Sequence, residues 1–452
     1  MRPQAINEPI TAGSTKRTTP SPSPTILRLS VALSALAGFG VGLTLLTSIA
    51  IGSAGDLPFQ ALAQAHGQVQ TLGFIGLFIV GTAAVLLPGF LAAPLRRQRF
   101  LLVGGWLVAL GLLARISSQP LDLGLPRSGL LGLSAIGETL GFGLCLYGLA
   151  DLPRRSLQPS GLWRRLLIVG VAFLALGLAL NLVAVGTLVA GHALVPAALD
   201  AALVEAELWG FAGFLVFGIS RKLLPHLLQL QISDDRRIRL GAVSYGSGVT
   251  LAIAAALVDP LSRSAAIPLL AFGAAGLKLL GVVLVLDGLR IFRGPARASG
   301  LPTISGPVRR WVRTAFGWLL LAAFLGALYA LPTLLNGMGI TVGGFFEAGA
   351  VRHAMGQGFL LTLLTALGAR MLPGYSAWAI RHPRVAEVIF GLVTAGATLR
   401  VAGEIGLAQG IVGSASVAAL GGGLGTAGFL TFACLLFVTV GARRNSKGTP
   451  TP

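Results

Sequence analysis

GFIGLFIVGTAAVLLP, Gly73 to Pro88, returns as GFAGFLVFGISRKLLP from Gly210 to Pro225. Gly73, Phe74, Gly76, Gly81 and the closing Leu-Leu-Pro recur in one register. A third copy, GFLLTLLTALGARMLP from Gly358 to Pro373, keeps the Gly-Phe opening and the Leu-Pro end. Pro88, Pro225 and Pro373 lie 137 and 148 residues apart. Solenoid repeats have much shorter periods. Such spacing predicts three copies of a larger unit, each with its own version of one special helix.

Composition says where those units sit. Hydrophobic residues make up 54% of the chain and charged residues 11%. Long apolar runs with almost no charge read as transmembrane helices. Twelve are expected, at 28–52, 66–90, 99–117, 128–152, 162–190, 200–225, 238–258, 264–292, 309–333, 352–374, 384–405 and 413–441. The repeated motif falls on the second, sixth and tenth, so count and period agree. The expected fold is all-α: a polytopic membrane protein with twelve transmembrane helices in three pseudo-symmetric four-helix arcs. The membrane domain spans 28–441, with repeat units at about 28–152, 162–292 and 309–441. The polar stretch 1–27, containing TKRTTPSPSP, reads as a disordered cytoplasmic lead-in, and 442–452 as a cytoplasmic tail. The first apolar run is too long for a signal peptide and lacks its cleavage pattern, so it reads as a retained helix.

A net charge of +19 raises the question of nucleic acid, and its distribution answers it. Most of the 34 Lys and Arg residues cluster in alternate connections, among them Arg96, Arg97 and Arg99, Arg154 and Arg155, Arg221 and Lys222, and Arg443 and Arg444. The other side holds Arg115, Arg127, Arg263, Arg352 and Arg400. That is the positive-inside bias. It places both termini in the cytoplasm and the chain in a bacterial-type inner membrane. The partner it implies is the lipid bilayer, with no nucleic acid. Cys145 and Cys434 lie inside apolar helices, where cysteine behaves as a small hydrophobe. There is no disulfide framework or Cys-based metal motif. Most of the 63 glycines need only the close approach of membrane helices as their explanation.

Polar groups at membrane depth need more, because they are costly there and face the bundle interior or a cavity. The clearest are His66, Gln68 and Gln70 on the second helix, Asp200, Glu205 and Glu207 on the sixth, and His353 and Gln357 on the tenth. Glu138, Lys278, Arg400 and Glu404 complete the set. His66 to Gln70 and His353 to Gln357 share a spacing of four, which puts each pair on one face of an α-helix. Aligning the closing prolines pairs His353 with Gln68, so the two histidines are two residues out of strict symmetry. Neutral imidazole ligates haem iron, and nearby glycines let a flat macrocycle approach the backbone. One such histidine alone fits an interhelical hydrogen bond equally well. The matched pair points to one bis-histidine haem b, with Gln70 and Gln357 on the same faces. Arg352 and Arg400, with Arg263, stand where the haem's two propionates need cations; they also fit as interfacial anchors. His192, His226 and His382 have no supporting spacing.

Twelve helices in three arcs, with histidines on helices two and ten, resemble subunit I of the haem-copper oxidases. In that family those histidines hold the low-spin haem; here they are His66 and His353. AIPLLAFGAAGLKLLG resembles the family's helix-eight proton-path segment, which places Lys278 on its buried lysine. VEAELWGFAGF is similar to its glutamate-bearing helix six, and so Glu205 or Glu207 takes the glutamate's place. Within the superfamily the chain looks closest to NnrS-like proteins, twelve-helix haem proteins linked to nitric oxide stress. The matching pieces are His66 with Gly73-Phe74 and Gly81, the Arg-Lys-Leu-Leu-Pro end of helix six, and Arg352-His353-Ala354 with Leu367-Gly368-Ala369-Arg370. The resemblance covers about 30–440. It implies a metal site at His66 and His353, a respiratory or gas-related role, and an electron-transfer partner.

The departures also have consequences. Helix seven, GAVSYGSGVTLAIAAALV, has no histidine where the oxidases place two copper ligands. The expectation is therefore an oxidoreductase-like fold with no copper, and not a complete terminal oxidase. Two other classes fit the buried Glu and Lys: a secondary transporter, and a cofactor-free degenerate family member. Transporters favour two six-helix halves, whereas this chain shows a four-helix period repeated three times.

Overall fold

The computed structural model describes residues 23–52, 56–120, 125–156, 158–258, 266–294, 306–368 and 383–441. Arg263, Arg370, His382, Pro373 and most of both terminal segments lie outside them. Eleven helices among the described residues are long and apolar enough to cross a membrane. We number them α1 (Pro24–Ala50), α2 (Pro58–Leu91), α3 (Gln98–Ser118), α4 (Pro126–Arg155), α5 (Leu162–Val189), α6 (Ala197–Leu227), α7 (Asp235–Val258), α8 (Ala266–Leu289), α9 (Pro307–Gly337), α11 (Arg384–Ala408) and α12 (Ser414–Val438). Between α9 and α11, α10 is helical over 348–368. The chain is an all-α, multi-pass membrane protein. Several boundaries shift by a few residues, and the start of α2 by more. α1 begins before the expected residue 28, and α2 starts at Pro58, which places His66 two turns inside its helix and not at its start. Asp56 caps α2, its carboxylate accepting from Phe59 N–H at 2.7 Å, and Pro58 occupies the first turn.

The motif helices are the innermost. In α2 and α6, 61% and 83% of the apolar window is buried, against 33–44% in the other spanning helices. The most extensive packing joins α3 with α4, α7 with α8, and α11 with α12. Glycines make these hairpins close. A Cβ on Gly111 of α3 would lie 2.9 Å from Ser134 O, one on Gly248 of α7 2.6 Å from Ala274 O, and one on Gly396 of α11 2.5 Å from Gly425 N. These three glycines stand at one position of the repeat, counted from Pro88, Pro225 and Pro373. Contacts of α4 with α5, α8 with α9 and α12 with α1 close the bundle on itself.

Two features recur on all three motif helices. The first is a π-helical segment: Val69–Gly76 in α2, Glu205–Ala212 in α6 and Ala354–Leu361 in α10. Each contains the Gly-Phe pair that opens the motif. π turns of this kind are uncommon and concentrate at functional sites. The second is an apolar chamber further along the same helices. Phe78, Ile79 and Thr82 of α2 line it with Leu215, Val216 and Ile219 of α6 and Leu363, Leu364 and Leu367 of α10. Each trio stands ten, nine and six residues before its proline.

Candidate functional site

The polar heads that precede the π segments fall into three groups. The first joins α1, α2, α10 and α11. His66 contacts α1: its Nδ1 lies 2.9 Å from Gly38 O. A carbonyl can only accept, so Nδ1 carries the proton and Nε2 keeps its lone pair. The approach is tight, since a Cβ on Gly42 would lie 3.0 Å from His66 Cε1. Gly38 itself sits in a further π segment, Ser34–Phe39 of α1. His353 Nδ1 lies 3.0 Å from Gly349 O, one turn back, and 2.9 Å from Glu404 Oε1 on α11. The same reasoning puts its proton on Nδ1. Neither Nε2 has a hydrogen-bond partner among the described residues. His353 and Arg400 both lie within electrostatic range of His66. Arg400 Nη2 binds Glu404 Oε1 at 2.8 Å, while its buried Nε and Nη1 find no acceptor.

The amides that accompany the histidines behave differently from each other. Gln70 faces α1 like His66, accepting from Ser34 Oγ at 2.7 Å. Gln357 turns to α12, where a Cβ on Gly425 would lie 2.2 Å from its Nε2, and that Nε2 is buried without a partner. His66 and Gln70 thus both contact α1, while His353 contacts α11 and Gln357 contacts α12, two helices packed against each other. Both Gln70 and Gln357 lie inside their helix's π segment. The two-residue offset persists: His66 stands three residues before its π segment and His353 one. Arg352 donates to Asp200 at 2.9 Å, an ion pair that ties α10 to α6.

The second group joins α6, α7 and α8. Lys278 Nζ lies 2.6 Å from Glu205 Oε1 and 4.7 Å from the centre of the Trp209 ring. Tyr245 Oη donates to the backbone carbonyl of Trp209 at 2.8 Å, which ties α7 to the π segment of α6. Glu205 is thus the carboxylate paired with Lys278.

The third group was less visible in sequence. Arg115, read there only as one of the basic residues on the sparsely charged side, is buried with 1% of its surface exposed. Asn181 and Gln119, which no sequence pattern marked, join it. Their shared signal is only that each interrupts an apolar run. Glu207 and Glu138 belong to this group, linked by Gln68. Among the described residues no three His, Cys, Asp or Glu side chains converge on one point as a metal set. His226 ends α6, and the His192 backbone carbonyl accepts from Arg127 at 3.2 Å.

No family model and no curated protein matches the sequence. A solved structure does. A haem-copper terminal oxidase, determined as a dimer by cryo-electron microscopy, superposes with a TM-score of 0.65 at 14% identity. The match covers 95% of this chain and 86% of that one. The chain has a haem-copper oxidase fold. The expected subunit I-like fold is thus found, and the three polar groups lie inside it.

Proposed function

We propose that this chain is an NnrS-like, haem-binding membrane protein that holds one haem b between His66 of α2 and His353 of α10. The arrangement of the imidazoles carries the reading. Haem-ligating histidines tie the far ring nitrogen to a carbonyl or carboxylate and present the other to iron. His66 does so through Gly38 O, and His353 through Gly349 O and Glu404. The surroundings also fit. Gly42, lacking a Cβ, lets the His66 ring seat closely against α1. The unpartnered Nε and Nη1 of Arg400 and Nε2 of Gln357 are donors suited to propionates. With Arg352 engaged by Asp200, Arg400 is the better cation for that role.

When bound, such a haem supplies reversible one-electron chemistry. The protein's part is to keep both imidazoles in one tautomer and to set their basicity through Glu404 and the Gly38 carbonyl. We read the role as electron transfer or nitric oxide handling with an electron-transfer partner, in a bacterial-type inner membrane with both termini cytoplasmic. Copper is not part of this reading, because α7 has no histidine. The equivalent π segments and chamber trios support three four-helix units, about 28–152, 162–292 and 309–441.

Protein purified from haem-replete membranes should show the α and Soret bands of a bis-histidine haem b in a reduced-minus-oxidised spectrum. Both His66→Ala and His353→Ala should abolish them. A folded, colourless wild-type protein overturns the proposal. That result would turn attention to the buried charges as a transport site.

A further inference from the structure

Counted from the closing prolines of the motif, Arg115 and Arg400 hold one position, 27 residues after Pro88 and Pro373. Four residues further on, the first copy has Gln119 and the third has Glu404. The second copy has Ala252 and Ala256 at these positions. Both arginines bond the side chain one turn along. Arg115 Nε donates to Gln119 Oε1 at 2.5 Å, and Arg400 Nη2 to Glu404 Oε1 at 2.8 Å. An amide therefore suffices to hold an arginine at this place in the fold, and the carboxylate of Glu404 needs a further reason.

His353 provides that reason. Its Nδ1 stands 2.9 and 3.1 Å from the two oxygens of Glu404. Gly349 makes room for the contact, since a Cβ there would lie 3.4 Å from Glu404 Oε1. A guanidinium is always charged, so the acid it holds is an anion and accepts the Nδ1 proton as a charged acceptor. The Nδ1 of His66 instead meets a neutral carbonyl, Gly38 O, at 2.9 Å.

The two imidazoles are therefore unequal. A charged acceptor on the far nitrogen raises the basicity of an imidazole more than a neutral one does. With both protons on Nδ1, each ring offers Nε2, and that of His353 is the richer in electrons. An electron-rich axial donor stabilises the oxidised iron over the reduced. Arg400 moderates the effect, because it draws on the same Oε1 that His353 uses.

We propose that Glu404 is a positioning residue: it fixes the His353 ring, makes His353 the stronger of two axial donors and lowers the reduction potential of the haem. This rests on the haem reading, and the measurements below separate the failure of one from the failure of the other.

Glu404→Gln installs the amide that Gln119 already provides at the equivalent position. In a redox titration the variant should keep the bis-histidine spectrum and show a raised midpoint potential. NMR of the reduced protein labelled with 15N-histidine reads the contact whether or not haem is present. Of the five histidines, His353 should carry its proton on Nδ1, with that proton resonating furthest downfield. In Glu404→Gln it should move upfield while the His66 signal stays in place. Equal potentials in haem-bearing wild type and variant overturn the proposal and leave the haem reading standing. A colourless wild type overturns both. An Nε2-protonated His353 overturns the proposal, and so does an Nδ1 proton unmoved in Glu404→Gln, even if that variant loses its haem.

Discussion

Lys278→Met is expected to destabilise the protein by about 3–5 kcal/mol, the usual cost of breaking a buried ion pair from one side. The variant keeps the apolar stem and removes only the charge. Glu205 is then left inside the bundle with both oxygens unanswered, since its Oε2 already has no partner. The Trp209 face also loses its cation. Adding Glu205→Gln should recover most of the loss, because the stranded charge is what costs, and not the missing contact. Thermal unfolding of the four members of this double-mutant cycle in detergent gives the coupling directly. Simple additivity of the two single effects would show that the pair contributes nothing as a pair.

Gly421→Ala is expected to cost about 1–3 kcal/mol and to weaken haem retention at the same time. The new Cβ would lie 2.2 Å from the backbone nitrogen of Arg400 and 2.8 Å from Gly396 O. Backbone cannot step aside as a side-chain tip does, so α11 and α12 must part. Arg400 and Glu404 both ride on α11, and Glu404 orients His353. Gly423→Ala is the control, with nothing within 4 Å of its Cβ. Inside a helix that change should be neutral or stabilising by up to about 1 kcal/mol. Unfolding midpoints and haem-to-protein ratios of the two variants should diverge in opposite directions.

Much of the architecture was legible because burial in a membrane leaves a one-dimensional trace. Apolar runs located the helices to within a few residues, apart from the start of α2, and the Gly-Phe…Leu-Pro motif located the three innermost. His66, His353, Glu205, Glu207 and Lys278 stood out because each breaks an apolar run. The partners were harder. His353 and Glu404 lie 51 residues apart and meet through a helix crossing that no local pattern encodes. In sequence Arg115 is only one of five arginines on the sparsely charged side. Only its neighbours on α5 show that it belongs inside. The π turns were hidden altogether, since sequence spacing assumes the α-helical repeat.

Those π turns also fix where the polar heads point. An α-helix turns by about 100° for each residue, so one extra residue in a turn changes the phase of everything before it relative to everything after. On α2, α6 and α10 the apolar shafts line a common chamber, while the polar heads reach α1, α5, α8 or α11. The extra residue is the phase shift between these two tasks. A chain shortened by one residue within Ala354–Leu361 would keep its chamber and its helix. It would swing His353 by about a quarter turn, off Glu404.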